Sequence, residues 1–511
     1  MAPTFSRFAS TTQPETAFIV LARARELQAA GKDVIELEIG DSPFATPPNA
    51  VEVGIQAIRD GWTHYGPASG LPVFREAASA YVNEEHGLQT TAANIVAGPG
   101  AKTFEQLFCE AFVNPDDGVL VFSPQFPTYG PNIARRGGRM CLSTLEEART
   151  FRPNLYDVER FLVNDPSPKA IFLNSPHNPT GGVAHAEDLA GIADLVRGRD
   201  IAVFSDEPYD CMVWSGRHRT IVSEPGMLDQ TVAAYTFSKS FSMSGWRLGF
   251  AVTNIETVRL LDVLTITSVS CVPPFSQAAG IAALQLDRPY RDERMAEFRH
   301  KVELLVSGLN KIKGVSCLMP GGTFYVFPSV QPICLTYGIT SHGLALYLLE
   351  GADDHVGVGD IHQRAQRESA LVLHTTAGLG PAIGGGHYVL TADSAVGAVG
   401  VLDVVGLYER LAADLLGAVE CRALKVPSRQ RAQPVENRHV GHRAHGPVLL
   451  GRGAQAPPGQ VLADVVEGAG VVHRHAGGAP QRDSLQVLGA HYRSGAGAAG
   501  LPPSVVGYGG E

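Results

Sequence analysis

The hydrophobic pattern changes period repeatedly along the first 356 residues. TAFIVLARARELQAAGK repeats apolar positions at helical spacing and stops at Gly31. DVIELEIG then reads as a short strand ending at Gly40. NAVEVGIQAIRDG and LPVFREAASAYVNEEHG are helical, the second with Pro72 near its first turn, and the polar turn THYGPASG separates them. From there short, continuously apolar runs alternate with helices. NIVAG, GVLVFSP, RGGRMCLS, KAIFLNSP, IAVFSDEPY and TVAAYTFSKS are the expected strands; AKTFEQLFCEAFV and AEDLAGIADLVRG are expected helices. This pattern predicts an α/β fold with a mostly parallel sheet covered on both faces. In such sheets function collects on loops at the carboxyl ends of strands, which is where the polar residues of interest fall. ETVRLLDVLTITS, FSQAAGIAALQL and RDERMAEFRHKVELLVSGLNKI follow as helices, and VSCLMPGGTFYVFPSV as a hairpin.

The expected organisation is an N-terminal arm with part of a smaller domain (1–48), a large domain (49–265) and the rest of a smaller α/β domain (266–356). Beyond that the chain changes character. All 21 Phe lie at or before Phe327, and every Met and Trp precedes Pro320. After Gly357 there is one lysine, Lys425, against 12 Arg, and ten of the 17 His lie from His355 onward. A Gly/Ala/Val/Arg/His-rich stretch without Phe, Trp or Met is poorly equipped to pack a core. Residues 357–511 are therefore expected to form an atypical, weakly ordered tail. A shift of reading frame near residue 356 would produce the same composition.

The chain of 511 residues has a net charge of -10 and no basic tract, which argues against nucleic acid as a partner. No apolar run reaches the roughly 18 residues of a membrane span. Seven scattered Cys without a CxxC pair or a Cys/His cluster argue for reduced thiols, a cytoplasmic location and no metal site. The N-terminus lacks the apolar core of a secretory signal and reads as a flexible arm.

The sharpest chemical signal is YTFSKSFSMSGWRLG, 235–249. Lys239 follows an apolar strand in a loop of small hydroxyl residues, with Arg247 eight positions on. A lysine so held can form a Schiff base with an aldehyde. Hydroxyls and a guanidinium close by suit a phosphate. Asp206 closes another buried strand, in DEPYD. VAGPGAKTFEQLF is a Gly-rich turn opening a helix, whose free N–H groups suit a phosphate. Taken singly, Lys102 reads equally well as a solvated first-turn lysine, Phe126 as a core residue and Asp206 as a strand-end turn residue.

Together, and in this order from about Thr16 to Gly357, the motifs resemble the class I/II aminotransferases, pyridoxal-phosphate enzymes of fold type I. The resemblance implies an aspartate-aminotransferase-like fold, with a large domain of mostly parallel sheet sandwiched by helices and a smaller α/β domain. It implies that Lys239 forms the Schiff base and carries the proton to and from the substrate α-carbon. Arg247, Thr236, Ser238, Gly100, Ala101 and Lys102 would hold the cofactor phosphate. Asp206 would keep the ring nitrogen protonated, Tyr209 and Asn178 (in NSPHNPTGG) would bind the phenolic oxygen, and Phe126 would stack on the ring. Tyr65 would reach the phosphate of a neighbouring subunit, implying a homodimer. Gly40, Phe126 and Asn178 would also border the substrate, and Lys102 matches a lysine near a substrate side-chain carboxylate. The implied reaction is ping-pong transfer of an amino group from an amino acid, such as aspartate, to a 2-oxo acid.

Two departures bear on this. Thr236 stands where the family prefers Gly or Ser, and GDSPF replaces the common GEPDF. The arginine that binds the substrate's α-carboxylate in the family is not found after LYLLEGADDHVGVG; Arg364 and Arg367 lie on a polar stretch and do not take its role. Its loss leaves two further readings: a pyridoxal-phosphate-dependent β-lyase of the same fold, or a cofactor-binding protein without transaminase activity.

Overall fold

The computed structural model describes residues 3–351, apart from 13, 14, 33, 35 and 38, together with Leu390–Thr391. All of these lie in one compact unit, Met1–Arg422. The expected tail composition and the positions of Arg364 and Arg367 fall outside the described residues.

Seven strands form the main sheet: β1 (Ile95–Gly98), β2 (Gly118–Ser123), β3 (Arg139–Thr144), β4 (Pro168–Asn174), β5 (Ala202–Asp206), β6 (Thr231–Thr236) and β7 (Gly249–Val252). Their order across the sheet is β1-β7-β6-β5-β4-β2-β3. The pairs β3–β2, β2–β4, β4–β5 and β5–β6 are parallel, whereas β7 runs antiparallel to both β6 and β1. The expectation of a mostly parallel sheet is met.

Alternate residues of each strand point to opposite faces, and both faces are dry. Val119, Val121, Ala170 and Phe172 pack with Phe104, Phe108 and Leu261, from helices Ala101–Phe112 and Ile255–Ser268. Their neighbours Leu120, Phe122, Ile171 and Leu173 pack on the other side with Val158, Phe161, Leu189 and Ile192, from helices Leu155–Asn164 and Ala186–Val196. This two-sided burial explains why the strands read as unbroken apolar runs. A separate core joins helix Arg288–Leu309 (through Met295, Phe298, Val302 and Leu305) to Tyr209, Met212, Trp214 and Phe324. Next to it, β8 (Tyr325–Val326) pairs antiparallel with β9 (Leu390–Thr391).

The expected helices and the six expected strands of the sheet are present. The structure adds β7 and helices Arg7–Thr11 (in the segment expected to be a flexible arm), Tyr129–Arg135, Leu155–Asn164, Gln331–Tyr337 and Ser341–Gly351. β7 is four residues long and follows the lysine loop closely, so it left no separate apolar run to read. DVIELEIG forms no strand among its described residues, 34, 36, 37, 39 and 40. The expected hairpin over 315–330 reduces to β8 and a bridge between Ser316 and Ser329.

Gly249 marks the tightest junction of the sheet. A Cβ there would lie 2.6 Å from the Tyr235 carbonyl oxygen and 3.0 Å from the Gly100 backbone. Backbone atoms cannot swing aside, so Gly249→Ala should cost about 1–3 kcal/mol of stability, as overpacking does. Gly245→Ala, where a Cβ meets nothing within 4 Å, should leave the urea midpoint near wild type.

Candidate active site

Parallel strands deliver their carboxyl ends to one edge of the sheet, and the sequence motifs gather there. Lys239 follows β6. Its Nζ donates to the carbonyl oxygen of Gly40 and lies 5.6 Å from the centre of the Phe324 ring. The segment carrying Gly40 is tied to the lysine loop by Ser42 Oγ to Ser242 Oγ (2.7 Å) and by Thr46 Oγ1 donating to the Ser242 carbonyl (3.1 Å). The close approach requires glycine at position 40, since a Cβ there would fall 2.2 Å from Tyr325 Oη.

Tyr325 leads to the next group. Its hydroxyl lies 3.0 Å from Tyr209 Oη, and Asn178 Nδ2 donates to both hydroxyls at 3.4 Å. Asn178 is set by its own N–H donating to Asn174 Oδ1 at the end of β4, while Asn174 Nδ2 donates to the Asp206 carbonyl (2.8 Å).

Asp206 ends β5 and is 5% exposed. Tyr129 Oη donates to its Oδ2 at 2.5 Å, and among the described residues no cation forms an ion pair with it. Burial raises its pKa to about 7; the Tyr129 hydrogen bond and the charges of Lys239 and Lys102 oppose the shift. Beside it lies Glu105, also buried, accepting from Thr128 Oγ1 (2.5 Å) and Asn132 Nδ2 (3.3 Å). Burial and the nearby Asp206 charge push Glu105 well above the usual carboxylate range.

A third group surrounds the start of helix Ala101–Phe112. Gly100 caps it at φ +88°, and no side chain caps its first N–H groups. The Arg247 guanidinium donates to the Pro99 carbonyl (3.0 Å), and a Cβ on Gly100 would lie 2.8 Å from Arg247 Nη2. Thr236 Oγ1 donates to Ser238 Oγ (2.9 Å) and accepts from the Ser238 N–H (3.2 Å). Free N–H groups, hydroxyls and a guanidinium together can hold a phosphate.

Of the two remaining expected residues, one is held by a neighbouring carboxylate and the other is exposed. Lys102 Nζ pairs with Glu15 at 2.8 Å and lies 5.0 Å over the Phe126 ring, which is itself partly buried. Tyr65 is 89% exposed. The sequence reading missed Tyr129, Glu105, Phe324 and Tyr325. Tyr129 was accessible in principle, three residues beyond Phe126 in SPQFPTYG. Tyr325 was not, since it meets Tyr209 across 116 residues of chain.

A protein-family model, "Aminotransferase class I and II", matches residues 32–354, well over half the chain. The chain belongs to the class I and II aminotransferases. Among its relatives, a probable aspartate/prephenate aminotransferase of Rhizobium leguminosarum bv. phaseoli is 31% identical over 379 residues, 73% of this chain and 91% of the relative. An aspartate aminotransferase of Pyrococcus abyssi is 31% identical over 69% of this chain and 90% of its own. The solved structure of Thermus thermophilus aspartate aminotransferase with maleate superposes with a TM-score of 0.69 at 26% identity, covering 80% of this chain and 100% of that one. The fold is thus aspartate-aminotransferase-like, and the chain is a pyridoxal-phosphate-dependent aminotransferase.

The residues present suit that cofactor. The phosphate-type donor set sits at one strand end, a lysine at the next, and a buried carboxylate lacking a cation beyond it. Among the described residues no group of His, Cys, Asp and Glu could hold a metal ion, and no single helix is long and apolar enough to cross a membrane.

The raised Asp206 carboxyl has a measurable consequence. A folded-state value of about 7, against about 4 unfolded, means the folded apoprotein keeps a proton that the unfolded chain loses. Its contribution to stability is full below about pH 4 and declines as pH rises to about 7. Asp206→Asn should remove that decline, so the difference between wild-type and variant urea midpoints should change across this window. Parallel curves would show that Asp206 titrates normally.

Proposed function

We propose that this aminotransferase moves the amino group of an amino acid, aspartate foremost, to a 2-oxo acid in two ping-pong half-reactions. The observation that supports this is the meeting of Lys239 Nζ with the Gly40 carbonyl, beside the Asn178–Tyr209–Tyr325 cluster. When bound, pyridoxal phosphate supplies an aldehyde for the amino group and a ring that takes up the electron pair of the substrate α-carbon.

The chain's own residues do the rest. Lys239 Nζ would hold the cofactor's aldehyde and would serve as the base that moves the proton at the substrate α-carbon. Asp206 would accept from the cofactor's ring N–H, whose positive charge would favour the ionised carboxylate. Tyr209 and Asn178 would donate to the phenolic oxygen, and Phe126 would pack against the ring. Gly100, Ala101 and Lys102 at the helix start, with Thr236, Ser238 and Arg247, would hold the phosphate. Gly40, Phe126 and Asn178 border the substrate.

The working unit is a homodimer, with Tyr65 reaching the partner's phosphate. Its 89% exposure supports this, as do the exposed Ile255, Leu260, Val263, Ile266 and Val269 along one helix and the turn after it. Six free cysteines among the described residues fit a reducing cytoplasm. The large domain, 49–265, supplies most cofactor contacts, and 1–48 with 266–356 supplies Gly40 and Tyr325.

The test is the visible spectrum of the purified protein before and after aspartate, glutamate or alanine, with product assayed with and without a 2-oxo acid, prephenate included. The cofactor's absorption should respond to the amino acid, and turnover should require the oxo acid. Turnover without an oxo acid would mean β-elimination instead, and an unresponsive spectrum would overturn the reading. Lys239→Ala should keep the fold and reduce turnover to background. Borohydride reduction should leave the cofactor's mass on the wild-type peptide containing Lys239, and none on the variant.

A further inference from the structure

The pentapeptide Asp206-Glu207-Pro208-Tyr209-Asp210 presents two sets of side chains. Asp206 and Tyr209 meet the groups of the candidate site, whereas Glu207 and Asp210 join a second network. Glu207 is 1% exposed, yet both carboxylate oxygens are saturated. Oε1 accepts from Ser205 Oγ (2.7 Å) and Thr220 Oγ1 (2.5 Å); Oε2 accepts from Tyr235 Oη (2.6 Å) and pairs with His218 Nε2 (2.8 Å). A carboxylate offers about four lone-pair sites, and here each has a partner.

Asp210 repeats the device on a smaller scale. Its Oδ2 accepts from Tyr81 Oη (2.6 Å) and pairs with His86 Nε2 (3.1 Å). The two imidazoles meet edge to face, ring centres 5.0 Å apart, and His86 stacks on Tyr235 at 5.6 Å. Both imidazole side chains are 3% exposed, and their Nδ1 atoms have no hydrogen-bond partner. Four stretches of chain are thereby stitched to one turn: helix Pro72–His86, β5, the segment carrying His218 and Thr220, and β6.

A buried charge without an adjacent permanent cation is tolerated only when its hydrogen bonds are complete. Burial alone would raise Glu207, but His218, Thr220 and Tyr235 hold it below the usual carboxylate range. A group so saturated cannot rotate without leaving a buried donor unpaired, at a cost of about 1–3 kcal/mol for each. Glu207 lies between Asp206 and Tyr209, so its orientation is carried through one peptide unit to Asp206 and two to Tyr209.

We propose that Glu207, held by His218 and Tyr235 and seconded by the His86–Asp210 pair, is a positioning residue that aims Asp206 and Tyr209 at the cofactor ring. This rests on the roles given to Asp206 and Tyr209 above. The network touches no reacting atom, so its effect passes through those two side chains alone.

The test uses Glu207→Gln, which keeps the shape but turns one acceptor into a donor facing two donors, and Tyr235→Phe, which removes one hydroxyl from an otherwise intact ring stack. Pyridoxal phosphate is titrated into apoprotein by fluorescence, and the pH midpoint of the bound cofactor's visible absorption is recorded. Each variant should bind the cofactor about tenfold or more weakly, as small misplacements of positioned groups do, and should shift that midpoint. The loss should shrink when the same change is made in an Asp206→Ala background, because one of the two side chains the network aims is then gone. Additive losses in the double variant, or an unchanged affinity and midpoint, would overturn the proposal. If Glu207→Gln fails to fold, Tyr235→Phe decides alone. Wild-type protein that binds no pyridoxal phosphate would refute the functional reading itself, whereas wild-type binding with unaffected variants would refute only this inference.

Discussion

A carboxylate kept dry at the end of β5 sets the terms for everything around it. Asp206 has given up water for one hydroxyl, from Tyr129, and gains no permanent cation in contact. Left so, it drifts toward the neutral acid, with a value of about 7. In the proposed function a protonated ring nitrogen would be its partner, since a buried carboxylate is stabilised by a positive charge brought beside it. The neighbouring structure answers the same demand. Glu105 supports the Thr128–Asn132 segment that carries Tyr129, and Asn174 holds the Asp206 carbonyl from β4. Glu207 anchors the next residue from the opposite side of the sheet.

Strand direction explains how the phosphate-type donors reach the same edge. Parallel β5 and β6 deliver Asp206 and Lys239 at their carboxyl ends. β7 runs antiparallel, so its amino end lies at that edge, and Arg247, two residues before β7, arrives beside them. β1 is antiparallel to β7 in turn, so the Gly98-to-Gly100 turn and the start of the following helix come to the same place. Gly249 pairs with both Gly98 and Thr236, and no side chain fits in that junction. Reversing one short strand is thus what converts separate loops into a single cup.

The far wall of the site comes from outside the sheet. Phe298 and Phe324 stack at 5.3 Å, and Tyr325 turns its hydroxyl toward Tyr209 while its neighbours remain in the core formed with helix Arg288–Leu309. The same core takes in Phe44, which lies edge-on to Phe298 at 4.9 Å and steadies the segment that brings Gly40 to Lys239. The Gly40 segment and the Tyr209 and Tyr325 hydroxyls therefore share one apolar foundation, separate from the two cores that flank the sheet.

Much of this was written in local pattern. Continuous apolar runs ending in polar residues are enough to predict a covered parallel sheet with chemistry at its carboxyl edge, because burial on both faces permits no alternation. Lys239, Asp206, Asn178 and Gly100 each sit immediately after such a run or at a helix start, so their placement follows from chain direction alone. What local pattern could not carry was pairing over distance. The brevity of β7, the Tyr209–Tyr325 contact and the saturation of Glu207 all depend on which segments become neighbours. A carboxylate next to Asp206 in sequence looks like any other acidic residue. Only when β6, helix Pro72–His86 and the segment bearing His218 close around it does it become a fixed point, because hydrogen-bond saturation belongs to the assembled neighbourhood and not to the residue.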